Sequence, residues 1–307
     1  MEMKEFTTPI IFLIFNRPLI TEKVFERIRE IKPKNLYISA DGPRKNIIDD
    51  QLNCQKTRKI IEQIDWDCNL QLNFSEVNLG CKCAVSSGIT WFFENVTEGI
   101  ILEDDCLPDI SFFIFCSIML EKYRNNDRIM HIGGTNFQDG TQRGNGSYYF
   151  SKFCHVWGWA TWKRAWDLYD VDIKKYPEFI ISKKFTKMFH DSKEQKYWMK
   201  YFLQVYNKEK DTWDYQWTFT IWYYKGLSIV PNVNLVTNIG FGQNATHTIL
   251  NSNIANRPAK SIGKIRHPNS IFPDITADHY TFKKYMNLSK IRKILQILFS
   301  LKYLFLF

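Results

Sequence analysis

The first hundred residues alternate short apolar runs with stretches whose apolar positions recur at helical spacing. "IIFLIF" (10–15) reads as a buried strand. From Thr21 to Ile31 the pattern is helical, with Thr21 as a candidate cap and Pro33 just beyond the end. "NLYISA" (35–40) is a second strand, closed by the turn signal "DGPR". A helix fits Asp49 to Asp65, and "LQLNFSE" (70–76) alternates as a third strand. "NLG" opens a helix running from Lys82 to Glu94, and "GIIL" (99–102) is the fourth strand. Strands and helices in this order predict an α/β fold with a parallel sheet and right-handed crossovers.

Past Asp109 the pattern predicts a helix over 111–124, then "IMHIGGTN" (129–136), a strand entering a glycine loop. "QDGTQRGNGSYYF" (138–150) reads as a mobile polar loop suited to a lid or an acceptor contact. "HVWGWATWKRAW" (155–166) sets a glycine between two tryptophans ahead of a helix. Residues 174–210 read as helical and Lys-rich, and "TWDYQWTFTIWYYKG" (212–226) as an aromatic helix before the run 227–248. No repeat or long linker breaks the chain, which implies one domain over 1–250 followed by a tail, 251–307.

With 307 residues, 45% hydrophobic and 24% charged, the chain has the composition of an ordinary globular protein. Its seven cysteines lack zinc-type spacing, Cys81 and Cys83 being too close, so they read as free thiols in a reducing cytoplasm. "PIIFLIF" is too short for a secretory signal. The net charge of +9 is unevenly spread: 251–307 carries ten Lys/Arg against Asp274 and Asp278, leaving the body nearly neutral. Basic residues concentrated in an apolar tail argue against nucleic-acid binding. In 288–307 apolar residues at 291, 294, 295, 298, 301, 304 and 305 follow a helical period, interrupted by Lys290, Arg292, Lys293 and Lys302. That pattern is unsuited to a membrane span and predicts an amphipathic helix lying on an anionic membrane surface. Docking on the core or on a second subunit is the alternative.

Polar residues end each strand of the first half: Asn16-Arg17, Asp41-Gly42, Asn78-Leu79-Gly80 and Glu103-Asp104-Asp105. Parallel sheets bind ligands at their carboxyl ends, so these outline a nucleotide-sized crevice. The triplet suits a hard cation, Mn²⁺ or Mg²⁺, which relieves its repulsion and steadies a diphosphate. The plainer reading is a solvated acidic turn, with Asp109 or Ser111 capping the next helix. Asp214, between tryptophans, is a candidate general base or else a cap. His247 is a candidate metal or phosphate ligand or else a structural residue. Trp157, Gly158 and Trp159 suit a wall for sugar rings, whereas core packing fits Trp162 and Trp166 better. Gly133, Gly134 and Asn136 suit a floor beneath a donor sugar.

Six ordered stretches carry a resemblance: "FLIFNRP" (12–18), "YISADG" (37–42), "ILEDDCLPDISFF" (101–113), "VWGWATWKRAW" (156–166), "WDYQW" (213–217) and "VPNVNLVTNIGFGQNATHT" (230–248). In this order they resemble a GT-A-fold glycosyltransferase, similar to the N-acetylglucosaminyltransferase I type. The resemblance implies a Rossmann-like nucleotide-sugar transferase fold with a mostly parallel central sheet flanked by helices. It divides the domain into a nucleotide-sugar half, about 1–110, and an acceptor half, about 111–250. It also implies that Arg17 and Asp41 hold the nucleotide with Asn78 beside them, that Asp105 binds the metal, and that Asp104 meets the ribose or the metal's water shell. Glu103 would contact the donor sugar, His247 the diphosphate, and Asp214 would be the base. "WDYQW" departs from the family's two acids before tryptophan: aligned from its other end it offers Gln216, which cannot act as a base. Residues 249–307 have no counterpart.

The activity so implied is metal-dependent inverting transfer from a nucleotide sugar, UDP-linked by the resemblance at Asp41. The acceptor is a saccharide or lipid-linked saccharide, at the inner face of the cell membrane. A sugar-nucleotide pyrophosphorylase is the main rival, disfavoured because "FNRPLITEK" contains no glycine to cradle phosphate. A non-catalytic nucleotide-sugar-binding protein is the other.

Overall fold

β1 (Ile10–Ile14) is buried along its whole length, and its side chains divide between two apolar layers. Ile10, Phe12 and Ile14 enter one layer, and Ile11 and Leu13 the other. Such a strand belongs in the middle of a sheet covered on both faces. The computed structural model describes residues 5–189, 191–241 and 256–286.

From β1 the chain continues through α1 (Pro18–Ile31), β2 (Asn35–Ala40), α2 (Asp50–Arg58) with a 3₁₀ turn over Lys59–Gln63, and β3 (Asn69–Phe74). Next come α3 (Gly80–Asn95), β4 (Glu98–Glu103), β5 (Cys106–Pro108), α4 (Ile110–Tyr123), β6 (Ile129–Gly133), β7 (Tyr148–Ser151) and β8 (Trp159–Trp162). After these lie α5 (Lys163–Trp166), α6 (Tyr176–Ile181), α7 (Lys183–Lys187), α8 (Ser192–Tyr206) and α9 (Asp214–Tyr223). β9 (Leu227–Pro231), β10 (Val236–Asn238), α10 (Ile275–Thr281) and a π turn over Phe282–Met286 complete the order.

The main sheet runs β3-β2-β1-β4-β8-β6-β9-β7, and β5 pairs with β10 in a separate ribbon. β8 and β7 are antiparallel to their neighbours, while the other six strands share one direction, so the fold is α/β with a mostly parallel sheet. α1 and α4 cover one face through Val24, Phe25, Ile28, Phe112 and Met119. α3, α8 and α9 cover the other through Ile89, Phe92, Trp198, Phe202 and Trp217. From β1 the order builds outward through β2 and β3, then returns to β4 on the other side of β1. The carboxyl ends of β1 and β4 therefore flank a topological switch point, where an open α/β sheet leaves a crevice.

Several expectations need correction. Thr21 does not cap α1, which begins at Pro18, where the missing N–H costs nothing. Thr21 is buried one turn in and donates to Arg17 O (2.9 Å). β7 and β8 replace expected loop, and both are buried on both faces, so the polar alternation that betrays a strand is missing. The loop after Asn136 is not a free lid at its start. Gln138 is fully buried and donates to Thr281 Oγ1 (2.8 Å) and Ala277 O (3.2 Å). Asp139 accepts from Arg257 (2.6 Å) and Tyr280 (2.5 Å). The helical run 174–210 is interrupted at Ser182 and again before Ser192.

Residues 256–286 pack onto the body. Ile262, Ile265 and Ile271 lie against the α1/α4 layer, and α10 is fixed by buried Asp278, which accepts from Ser151 Oγ (2.5 Å) and Lys152 N (3.2 Å). The expected amphipathic helix, 288–307, lies outside the described residues; among those, no helix is long and apolar enough to cross a membrane.

Burial pushes the Asp278 carboxyl up to about 7, against the opposing pull of Ser151 and Lys152. In the unfolded chain it ionises near about 4, so between these values the folded protein holds a proton that the unfolded chain has lost. Its contribution therefore makes stability fall as pH rises through that window. Melting temperatures between about pH 4 and about pH 8 should decline for the wild type and decline less for Asp278→Asn. An unchanged slope would remove Asp278 as its source.

Candidate active site

Leu13 pairs in register with Glu103, so the residues leaving β1 and β4 emerge side by side. Pro18 turns the chain into α1 at once and holds Arg17 over the acidic triplet. Arg17 Nη2 donates to Asp104 Oδ1, and Nη1 lies 3.1 Å from Asp105 Oδ2. Phe15 N donates to Asp104 Oδ2 (3.3 Å). Burial works against the charge of Arg17, but Asp104 and Asp105 outweigh it and raise its pKa. Burial likewise raises Asp104, against the pull of Arg17. Glu103 rises well above the carboxylate range, through burial first and then through the charges of Asp105 and Asp104.

The β5–β10 ribbon closes this site from the far half of the chain. Asn238 Nδ2 donates to Asp105 Oδ1 (3.3 Å), and Ile239 N to Asp105 O (2.8 Å). A Cβ on Gly240 would stand 2.2 Å from Asp105 Oδ2, so this approach of backbone to carboxylate requires glycine. Asp109 caps α4, accepting from Ser111 N (2.9 Å). His247 lies outside the described residues.

At the carboxyl end of β2, Asp41 Oδ1 accepts from Gly42 N and Leu79 N (2.8 Å each), and Oδ2 from Asn78 Nδ2 (2.8 Å). Burial raises its pKa and these bonds oppose the rise. Asp50, absent from the sequence reading, is 2% exposed and receives Asn16 Nδ2 (2.6 Å) and the Arg44 fork (2.5 and 2.9 Å). Asn16 and Arg17 are thus held by different acids, Asp50 and the Asp104–Asp105 pair. The available signal was the acid pair Asp49-Asp50 at a helix start, which reads equally well as a cap.

Asp214 occupies the first turn of α9 and accepts from Thr212 Oγ1. Its charge reaches Glu103, so the two halves of the chain meet at these carboxylates. Cys81, at the start of α3, lies among them: burial and then Glu103, Asp211 and Asp214 push its thiol up to about 12. Asp211, also missed, brings Oδ2 to 3.3 Å from where a Gly80 Cβ would stand. Gln216 is buried, and its amide donates to Thr212 O and to Val171 O (3.4 Å).

The proposed sugar wall is only partly presented. Trp157 is half-buried, edge-on to Phe241 (5.6 Å) and Phe137 (5.7 Å). Trp159 is fully buried, stacked on Trp213 (5.7 Å) and His131 (5.1 Å), so it is a core residue. Gly134 and Gly158 face Val236: a Cβ on either would come within 2.5 and 2.7 Å of its Cγ2. They allow β6, β8 and β10 to close together and do not form an open floor. Gly133 ends β6 and is buried. Asn136 is buried, donating to Pro231 O (2.7 Å) and accepting from Gln138 N (2.8 Å). His131, missed from sequence, supports α9: Trp217 Nε1 donates to its Nδ1 (3.1 Å), which places its own proton on Nε2, facing His155 O (3.2 Å). Burial lowers this imidazole to about 3.

No family model matches the chain, and no curated protein does. Solved structures with similarity include a mannosyltransferase from Pyrobaculum calidifontis in complex with GDP-mannose and Mn²⁺ (12% identity, TM-score 0.35). The match covers 53% of this chain and 46% of that one, so this chain spans less than half the mannosyltransferase's length. A 4-diphosphocytidyl-2C-methyl-D-erythritol synthase from Anaerococcus prevotii matches at 11% identity and TM-score 0.31, over 67% of this chain and 86% of that one. A UDP-glucose pyrophosphorylase complexed with UDP-glucose matches at 10% and 0.28, over 52% and 71%.

The site separates two adjacent acids by role. Asp104, 4% exposed at its side chain, carries the buried ion pair, while Asp105 is 18% exposed. Asp104→Ala strands Arg17's inner nitrogen and should cost about 3–5 kcal/mol in denaturant unfolding. Asp105→Ala should cost less than about 1 kcal/mol, because Arg17 keeps Asp104. Equal losses would refute this division.

Proposed function

We propose that the protein is an inverting glycosyltransferase that moves a sugar from a nucleotide-diphosphate donor to a hydroxyl of a saccharide or glycolipid. The observation that carries this reading is the gathering of Glu103, Asp104 and Asp105 at the switch point of the sheet, where one guanidinium, Arg17, spans Asp104 and Asp105 and the charge of Asp214 bears on Glu103. Asp104 and Asp105 share one guanidinium, and a diphosphate arriving beside them brings negative charge that a hard divalent ion would balance. Among the described residues no three acidic, His or Cys side chains form a ready metal cage. Asp105, the more exposed member of the pair, would hold Mn²⁺ or Mg²⁺ jointly with a ligand's phosphates. Such an ion, when bound, supplies positive charge to the departing diphosphate.

The remaining steps belong to the chain. Asp41 fixes the edge of the nucleotide pocket. Its Oδ2, already taking Asn78, has room for a second donor such as a base imide, which favours uridine. Glu103 faces the donor sugar. Asp214 takes the proton of the acceptor hydroxyl as its oxygen bonds the anomeric carbon and the bond to the diphosphate breaks. One displacement inverts the centre. The shared order of six motifs supports the N-acetylglucosaminyltransferase I type as the subgroup, and the basic apolar pattern of 288–307 supports an anionic lipid surface as the place of work.

A panel of nucleotide sugars with Mn²⁺ should include at least one that raises the melting temperature and is turned over. Asp214→Asn should lower turnover by about a hundredfold or more while keeping that thermal shift. Silence across the panel would reject the reading, and synthesis of a nucleotide sugar from sugar phosphate and nucleoside triphosphate would replace it with a pyrophosphorylase.

A further inference from the structure

The family resemblance implies that Arg17 holds the nucleotide, yet in the structure its guanidinium already serves Asp104 and Asp105. Its two contacts differ. Nη2 is held on Asp104, an enclosed carboxylate also bonded by Phe15 N (3.3 Å). Nη1 alone meets Asp105, at 3.1 Å, on the more open side. The other oxygen of Asp105 is approached by Asn238 Nδ2 (3.3 Å) and the Cys106 thiol (3.4 Å), so among the described residues Arg17 is the cation in contact with this carboxylate. A planar fork can turn about its inner bond and release the outer nitrogen without moving backbone.

We infer that Arg17 is the resident cation of the triplet and competes with a divalent metal for Asp105, so that metal and diphosphate bind with mutual assistance. This rests on the nucleotide-sugar reading above. A diphosphate is a better partner for the outer guanidinium nitrogen than one partly hydrated carboxylate, because it carries more negative charge and more acceptor oxygens, one of which Nη1 can reach while Nη2 stays on Asp104. When Nη1 turns to phosphate, Asp105 loses its counter-charge and is left for the metal. The exchange keeps charges matched: arginine on carboxylate becomes arginine on phosphate, and the metal takes the carboxylate. Coupling of this kind is reciprocal, so each ligand tightens the other by the same factor.

The test uses Mn²⁺ alone, with no nucleotide, followed by the electron paramagnetic resonance signal of free Mn²⁺ on the full chain. Arg17→Gln keeps a neutral donor toward Asp104 and removes the competing charge. It should bind Mn²⁺ about tenfold or more tightly than the wild type, since a unit charge within contact distance of the ligand has gone. Arg17→Lys keeps the charge and should stay within about threefold of the wild type. Should Arg17→Gln fail to fold, Mn²⁺ but not KCl of equal ionic strength should restore its fold, by binding the native state. Unchanged or weaker affinity in Arg17→Gln, or no restoration by Mn²⁺, would overturn the competition. Donor binding by the wild type with no Mn²⁺ gain in Arg17→Gln rejects this inference alone. A Mn²⁺ gain with no response to any nucleotide sugar rejects the transferase reading and keeps the competition.

Discussion

The site depends on one guanidinium spanning two consecutive carboxylates. Asp104 and Asp105 end a buried strand, where each loses hydration and each repels the other. Arg17 makes this tolerable, and it can do so only because β1 and β4 are adjacent parallel strands whose ends emerge together. Pro18 shortens the link by starting α1 immediately. Asn16, one residue earlier, is anchored separately to Asp50 on α2. The polar exit of β1 is therefore tied in two directions, to the loop before α2 on one side and to the triplet on the other.

Asp214 reaches the same place by a different route. α9 is held by tryptophan packing: Trp213 stacks on Trp159, and Trp217 packs on Trp159 and donates to His131. His131 is buried and neutral, so it can accept that bond while its second nitrogen faces a carbonyl. Asp214 then stands on the first turn, where unpaired helix N–H groups favour a carboxylate. Trp159 thus affects the site as a rigid spacer between the sheet and α9, which explains why a residue that resembles a sugar platform is enclosed.

The legible part of the molecule was its first half. Strands and helices of contrasting period stand there in simple alternation, and polar residues at four strand ends marked the carboxyl edge of the sheet. Arg17, Asp41 and Glu103 to Asp105 do come to the carboxyl edge. What escaped reading depends on partners remote in sequence. Asn16 and Asp50 are 34 positions apart, and His131 and Trp217 are 86 apart. β7 and β8 escaped because burial on both faces erases alternation. Gly134 and Gly158 were read as ligand-facing because a glycine shows only that something comes close; here that neighbour is Val236.

The two edges of the sheet carry comparable groups, and their difference bears on the proposed function. At the amino edge of β9, Lys152 stands between two buried acids, with Nζ 2.9 Å from Glu194 Oε1 and its backbone N–H on Asp278. That ammonium is in ion-pair contact with Glu194, and its charge also bears on Asp278. Each acid there has a structural task, since Asp278 fixes α10 to β7 and Glu194 ties α8 to the end of that strand. At the carboxyl edge one cation likewise meets two acids, but Glu103 and Asp214 stand beyond them, and burial with the neighbouring charges raises Glu103 well above the carboxylate range. Core stability gives no reason to set further acids beside an ion pair that is already complete. A cation and a polyanionic ligand arriving together give one, and the edge where they would arrive is the one that the sheet's topology leaves open.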